Sequence, residues 1–279
     1  MKQTGLMARA KRWLLAMAVL YVSLLGALVF FETTLLFPAP SPTAGEWNAA
    51  KFKAKEEWVE SQDGTKVHVW CMQHDSPKAT IIFSHGNGES LGFLGWELAE
   101  LRDKWSVNVI AYDFRGYGKT GGAANQKNIL EDAVAVGTWT SNQTAWNTVP
   151  IVPMGRSLGG AAALEMAIEL KSPGLILDRT FSSIVDVAAW HYPMFPVRWL
   201  IRNRFLAIDR ISKYSGKLLQ LHGDADTIVP VQFGKKLFDA CPSASKTFLQ
   251  VPDLGHNDEW PKEFWEAVPP FLTQWKNGR

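Results

Sequence analysis

A chain of 279 residues, 47% hydrophobic and 20% charged, carries enough apolar material for one sizeable core and is not a disordered polymer. Its formal net charge of +2, without a long basic run, leaves no electrostatic footprint for nucleic acid as a partner. Its two cysteines, Cys71 and Cys241, lack C-x-x-C spacing, which argues against a disulfide framework or a zinc site and leaves open one bridge between them.

The N-terminus comes first. Residues 1–12 are basic, with Lys2, Arg9, Lys11 and Arg12, and the run WLLAMAVLYVSLLGALVFF from Trp13 to Phe31 has no charge. At helical rise it spans about 28 Å, close to the hydrocarbon thickness of a bilayer. Cations ahead of the run predict a single-pass anchor over 13–36, a cytoplasmic N-terminus and an extracytoplasmic catalytic domain. The rival is a cleaved signal peptide, whose apolar region is usually shorter and ends in small residues. A soluble core helix fits less well, because the run is apolar on every face. FPAPSPTAG reads as a stiff exit linker within residues 37–50, and the globular domain is expected over 51–279.

Strands and helices then alternate. KVHVWCM (66–72), ATIIFS (79–84), SVNVIAYD (106–113), VPIVP (149–153), GLILD (174–178), KLLQLHG (217–223) and TFLQVPD (247–253) read as strands. Residues 91–105, 128–141, 158–170 and 230–240 have helical spacing, and a last helix is expected near 258–276. This order predicts an α/β fold with a mostly parallel, twisted sheet and helices on both faces. Residues 182–215 break the alternation. They are rich in aromatics, carry Arg198, Arg202, Arg204 and Arg210, and read as a short helical cap, with extra core packing as the plain alternative.

After VPIVP comes MGRSLGGAAALEM, in which Gly155-Arg156-Ser157-Leu158-Gly159 fits G-x-S-x-G between a strand and a helix. That setting lifts a serine hydroxyl above the sheet edge at a helix start, where developing negative charge is favoured. An ordinary N-cap serine also precedes a helix, but it needs no flanking glycines and no downstream partners. The histidines after Ser157 are His191, His222 and His256. His191 falls in the cap, and His222 comes before the nearest carboxylates. His256 follows a strand in the loop PDLGHND and is the candidate base. The candidate acid is Asp226 in HGDADTIVP, with Asp178 and Asp224 as alternatives at strand ends. For the oxyanion, the candidate donors are the backbone N–H of Leu158 and that of Asn87 in the loop SHGNGES, where His85 would hold the loop in place. DFRGYGKTGG contains GKT, but Asp113 stands where a phosphate-binding loop needs glycine, so the segment reads as a turn.

Together SHGNGE, DFRGYGKT, GRSLGG, HGDADTIVP and GHND resemble the α/β-hydrolase superfamily over roughly residues 60–275, and more narrowly its small membrane-anchored members. The resemblance implies an α/β-hydrolase fold and a serine hydrolase with Ser157, Asp226 and His256 as its triad. It further implies ester, lipid-like or acyl-thioester substrates, with no metal or organic cofactor. Such members often have a proline before the strand leading to the acid, where this chain has Gly216-Lys217. A peptidase on the same triad, and a catalytically dead hydrolase scaffold that only binds, are the rival functions.

Overall fold

The computed structural model describes residues 2–273 and 275. The chain opens with α1 (Lys2–Phe30), of which Arg9–Phe30 is long and apolar enough to cross a membrane. The helix breaks at Phe31 into the short α2 (Glu32–Leu36). Glu32 and Phe37 are buried against the domain, and Phe37 joins one of its core clusters. Gly45 lies so close to the Gly92 carbonyl that a side chain there would collide with it. The segment read as anchor end and linker is therefore pinned to the domain at Glu32, Phe37 and Gly45, with exposed residues between.

The sheet grows out of the apolar runs. β1 (Lys55–Glu60), β2 (Lys66–Met72), β3 (Thr80–Ser84), β4 (Asn108–Tyr112), β5 (Ile151–Arg156), β6 (Gly174–Asp178), β7 (Lys217–Gly223) and β8 (Lys246–Val251) form it. The eight strands lie in the order β1-β2-β4-β3-β5-β6-β7-β8. β2 is antiparallel to both neighbours, and every pairing from β4 to β8 is parallel. β3, β4 and β6 are buried at every position, as strands covered on both faces must be. Within β3, Ile81 and Phe83 enter one core and Ile82 enters the other.

On the first face, α3 (Leu91–Trp105) supplies Leu94, Leu98 and Trp105, which meet Phe264 and Val268 from the chain's last helix. The opposite face is covered by α4 (Gln126–Ser141) and α5 (Leu158–Glu169) through Ile129, Val136 and Ala162. The insertion between β6 and β7 holds α6 (Ile184–His191), α7 (Val197–Leu200) and α8 (Ala207–Ile211). It divides in two: Phe205, Ala207, Ile211 and Tyr214 are buried in the core and α6 leans on that core through Ile184 and Val187 and buries Val185, whereas α7 buries no residue and forms the outer tip of the expected cap. α9 (Val231–Ala240) and α10 (Lys262–Leu272) complete the covering.

The expected α/β-hydrolase architecture, with its mostly parallel sheet and N-terminal apolar helix, is what the structure has. Details differ for local reasons. The edge strand β1 carries Lys55, Glu56, Glu57 and Glu60 and shows little apolar alternation, so its pattern hid it. The strand expected at 149–153 runs on to Arg156, directly into the turn at Ser157. The last helix starts only after Pro261, because residues 258–261 close the loop that carries His256. Pro269 removes an N–H from that helix, and the freed Trp265 carbonyl accepts the Trp105 indole N–H at 3.2 Å instead. Cys71 and Cys241 are buried, free and in separate core clusters, which rules out the bridge left open between them.

Candidate active site

β5 ends against α5 in one strained residue. Ser157 has φ 51° and ψ −115°, a conformation side-chain-bearing residues avoid unless their surroundings enforce it. Two backbone ties enforce it here: Ser157 N–H donates to the Asp178 carbonyl at 2.8 Å, and Thr180 Oγ1 donates to the Ser157 carbonyl at 2.8 Å. The flanking glycines have a steric reason. A Cβ on Gly155 would strike the Gly159 carbonyl, and one on Gly159 would strike the Ser84 and His85 carbonyls. Gly159 thus lets the end of β3 approach the serine turn.

Parallel strands deliver the other groups to the same sheet edge. His256 Nε2 lies 2.9 Å from Ser157 Oγ, and His256 Nδ1 lies 2.7 Å from Asp226 Oδ2. Asp226 Oδ1 accepts the N–H groups of Ile228 at 3.0 Å and Val229 at 2.7 Å, which fixes the carboxylate's orientation. Burial pushes the Asp226 carboxyl up, but His222, His256 and the Val229 N–H outweigh it, so its pKa falls well below the ordinary range. His222 Nε2 stands 3.5 Å from Asp226 Oδ2 and 2.8 Å from the Val229 carbonyl, behind the carboxylate. Ser157 itself is nearly buried, 8% exposed.

The alternative acids lie elsewhere. Asp224 accepts the Asp253 N–H at 2.8 Å and holds its own turn. Asp178 is engaged by Arg179, Arg156 and the Trp260 indole. Of the histidines set aside, His191 reaches the Ile228 carbonyl at 2.9 Å from the cap, and His85 donates Nδ1–H to the Gly86 carbonyl at 2.7 Å. The backbone N–H groups of Leu158 and Asn87 have no acceptor among the described residues. Asn87's side chain is occupied: Nδ2 donates to the Leu36 carbonyl and Oδ1 accepts the Tyr117 hydroxyl. In the glycine-rich turn after β4, the Asp113 carboxylate fills the space beside Gly118 and accepts the Leu91 N–H at 2.8 Å. That turn is filled by its own aspartate.

Sequence reasoning missed a charge network beside the serine. Arg156 bonds Glu89 at 2.9 Å, Asp178 at 3.2 Å and Glu97. Glu89 Oε2 also accepts the Gly86 N–H at 2.6 Å, on the loop that carries Asn87. Arg179 bonds Asp178 at 2.7 Å and donates to the Gly255 and Asp258 carbonyls, on either side of His256. One cluster therefore ties the Asn87 loop, the serine turn and the histidine loop together. Burial alone would raise the Asp178 carboxyl, but Arg179, Arg156 and Trp260 hold it down at about 2. Burial pushes Glu97 up, and Glu89 and Asp178 add to the rise against the pull of Arg156. Arg156 occupies a variable position of the serine motif, and nothing in one sequence marks it.

Residues 75–194 match the family model described as serine aminopeptidase, S33. The chain is 30% identical over 247 residues to an uncharacterized protein of Mycobacterium tuberculosis, covering 86% of each. It is 30% identical over 200 residues to alpha/beta hydrolase domain-containing protein 17B of Homo sapiens, covering 71% of this chain and 67% of that protein. An esterase of Pyrococcus furiosus superposes with a TM-score of 0.67 at 20% identity, covering 85% of this chain and 97% of the esterase. That likeness concerns the fold.

Proposed function

Because this chain belongs to the α/β-hydrolase superfamily, we propose that it is a serine hydrolase of carboxylic esters, working from Ser157, His256 and Asp226. The observation that carries the reading is the relay Ser157 Oγ–His256 Nε2–His256 Nδ1–Asp226 Oδ2, with links of 2.9 and 2.7 Å, on a serine held at φ 51°. His256 takes the hydroxyl proton as Ser157 Oγ attacks the carbonyl carbon. Asp226 holds the imidazole tautomer and stabilises its charged form. The Leu158 and Asn87 N–H groups receive the oxyanion. His256 returns its proton to the leaving alcohol or thiol, an acyl-enzyme remains, and water activated by His256 releases the acid. The substrate class is an ester or thioester with an apolar chain, met at a membrane.

Ser157→Ala tests this. The variant should keep its fold, lose reaction with a fluorophosphonate and lose ester hydrolysis by several orders of magnitude. A folded variant within tenfold of the parent overturns the reading, and a parent that resists the reagent is a binding scaffold instead. The matched family model favours a second reading, cleavage of aminoacyl amides by the same residues. Parallel assays on short esters, thioesters and aminoacyl amides separate the two.

For topology, the cations in the first part of α1, ahead of its charge-free run, support a cytoplasmic N-terminus and an extracytoplasmic domain. Protease added outside sealed cells should reach the C-terminus. Protection of the C-terminus until lysis reverses the orientation, and a mature N-terminus beyond residue 31 makes the helix a cleaved signal.

A further inference from the structure

An apolar groove of about 320 Å³ opens between the end of α1 and the cap, with Leu28, Val29 and Leu36 on one wall and Ala188, Tyr192 and Leu200 on the other. Its volume is at the lower end of the range of small-molecule pockets. Glu32 also borders it, but that carboxylate is consumed by Arg202 and Asn203. The groove abuts two catalytic loops. Leu36 offers its carbonyl to Asn87 Nδ2 at 2.7 Å, and α6, which carries Ala188, sets His191 on the Ile228 carbonyl at 2.9 Å beside the Asp226 turn.

The place of the groove, where the apolar span ends against the cap tip, identifies its occupant. Tyr21 donates its hydroxyl to the Met194 carbonyl at 3.0 Å, and its ring stacks on Phe195 at 6.1 Å. Tyr21 lies nine residues before Phe30, which at helical rise is about 13 Å inside the end of the apolar span. The cap tip therefore runs alongside α1 within the hydrocarbon when α1 spans a bilayer. Its surface suits that place: Met194 and Trp199 are 84% and 88% exposed, and Trp190 and Tyr192 are exposed beside them. The Met194 carbonyl, costly to leave unpaired in hydrocarbon, is paired with Tyr21. The groove itself lies at the end of that span, walled by Leu28 and Val29 of α1 and bordered by Phe195 of the cap tip, so its mouth meets lipid chains near the interface.

We propose that this groove is a lateral entry and binding subsite for the hydrocarbon chain of a membrane-resident ester, drawn from the bilayer towards Ser157. The inference rests on the serine-esterase reading. Cap and anchor together would then select substrate by its chain, with the head left at the interface.

The test uses the full chain in phosphatidylcholine vesicles and two phosphonylating probes, ethyl and hexadecyl fluorophosphonate. With either probe, Ser157 Oγ bonds phosphorus as the P–F bond breaks, fluoride leaves and the serine proton passes to His256. The hexadecyl probe should react at least tenfold faster than the ethyl probe. Ala188→Trp and Leu200→Trp, which fill the groove, should lower that ratio at least tenfold. An unchanged ratio in both variants overturns the subsite. Reaction with neither probe in the parent protein overturns the serine reading itself and the subsite with it. A measurement on the unmodified chain guards against misfolded variants: phosphatidylcholine bearing a diazirine on its acyl chain should crosslink to residues 188–201. Crosslinks confined to α1, or a groove closed by the helix of a second copy and seen as crosslinked dimers, overturn the proposal.

Discussion

On the sheet side of Ser157 the chain buries charge, and on the cap side it exposes apolar surface. Glu89, Arg156, Asp178 and Arg179 form an ion network that grips three loops at once. The cap tip leaves Trp190, Tyr192, Met194 and Trp199 exposed and is held by a few polar ties to the N-terminal segment. Reaction chemistry needs groups fixed to within fractions of an ångström, and fully paired buried charges give such rigidity. Accepting a flexible chain needs a surface that tolerates movement, and dispersion contacts without fixed geometry allow it. Substitutions on the sheet side should therefore cut turnover for all substrates alike, while those on the cap side should discriminate by chain length.

The largest effect is expected within the relay. Asp226→Asn should lower turnover on a short ester roughly 10⁴-fold, as the loss of the orienting carboxylate does in other triads. Asp178→Asn and Asp224→Asn, each matched for stability, should cost far less. A greater loss at Asp178 would mean that the charge network carries the orienting carboxylate, and the division between relay and network would collapse.

The legibility of the two sides differs for the same physical reasons. Ser157, Asp226 and His256 could be singled out because each follows an apolar strand and sits among residues that steric need dictates, such as Gly155 and Gly159. The parallel sheet was legible in its buried runs, and β1 was lost because an exposed, charged edge has no such run. Arg156, Glu89 and Glu97 could not be paired from spacing, because contacts between β5, α3 and the β3–α3 loop exist only once the sheet is assembled. Likewise FPAPSPTAG has the composition of a stiff exit linker, yet Phe37 is buried and its ring meets Phe205 edge-on at 6.3 Å.

The network can be loosened without touching the relay. Glu89→Ala removes the acceptor of the Gly86 N–H and should let the Asn87 loop drift. We expect turnover to fall about 10²-fold with little change in KM, since one misplaced oxyanion donor costs about that much. Glu89→Gln, which keeps an acceptor, should recover most of the loss. An equal rise in KM would assign Glu89 to ground-state binding. The pH response has a defined sign. The Asp178 pKa is depressed from 3.8 to about 2, so its contribution to stability is present above 3.8 and lost as pH falls towards 2. Thermal unfolding between pH 5 and 2 should therefore be less steep in Asp178→Asn than in the parent, and identical slopes would remove Asp178 from the charged set.

A smaller effect is expected where the two sides meet. A chain beginning at Gly45 lacks α1, Glu32 and Phe37, and with them the Leu36 carbonyl that receives Asn87. It should still fold around its eight-stranded sheet, but turnover on a short soluble ester should drop about tenfold, because a loop freed by about an ångström weakens catalysis. Full activity in that chain would show that the N-terminal segment is only a tether.

The smallest change isolates the polar tie between anchor and cap. Glu32 is buried and receives the Arg202 N–H at 2.9 Å, the Asn203 N–H at 2.8 Å, Asn203 Nδ2 at 3.0 Å and Arg202 Nε at 2.7 Å. Glu32→Ala leaves two cap backbone donors without their acceptor, at a cost of about 1–3 kcal/mol for each that stays buried. The cap tip can escape that cost by lifting towards water, because α7 buries no residue, while α6 stays on the core through Ile184 and Val187. The cheaper outcome is therefore a looser cap on an intact domain, with the melting temperature of the sheet nearly unchanged. Hydrolysis of a short ester should fall about threefold or less, and hydrolysis of a long-chain ester should fall more. Hydrogen exchange should quicken at residues 202 and 203 and stay slow in β5 and β6. Faster exchange throughout the sheet would mean that Glu32 supports the whole domain, and the contrast between a rigid floor and an adaptable roof would fail.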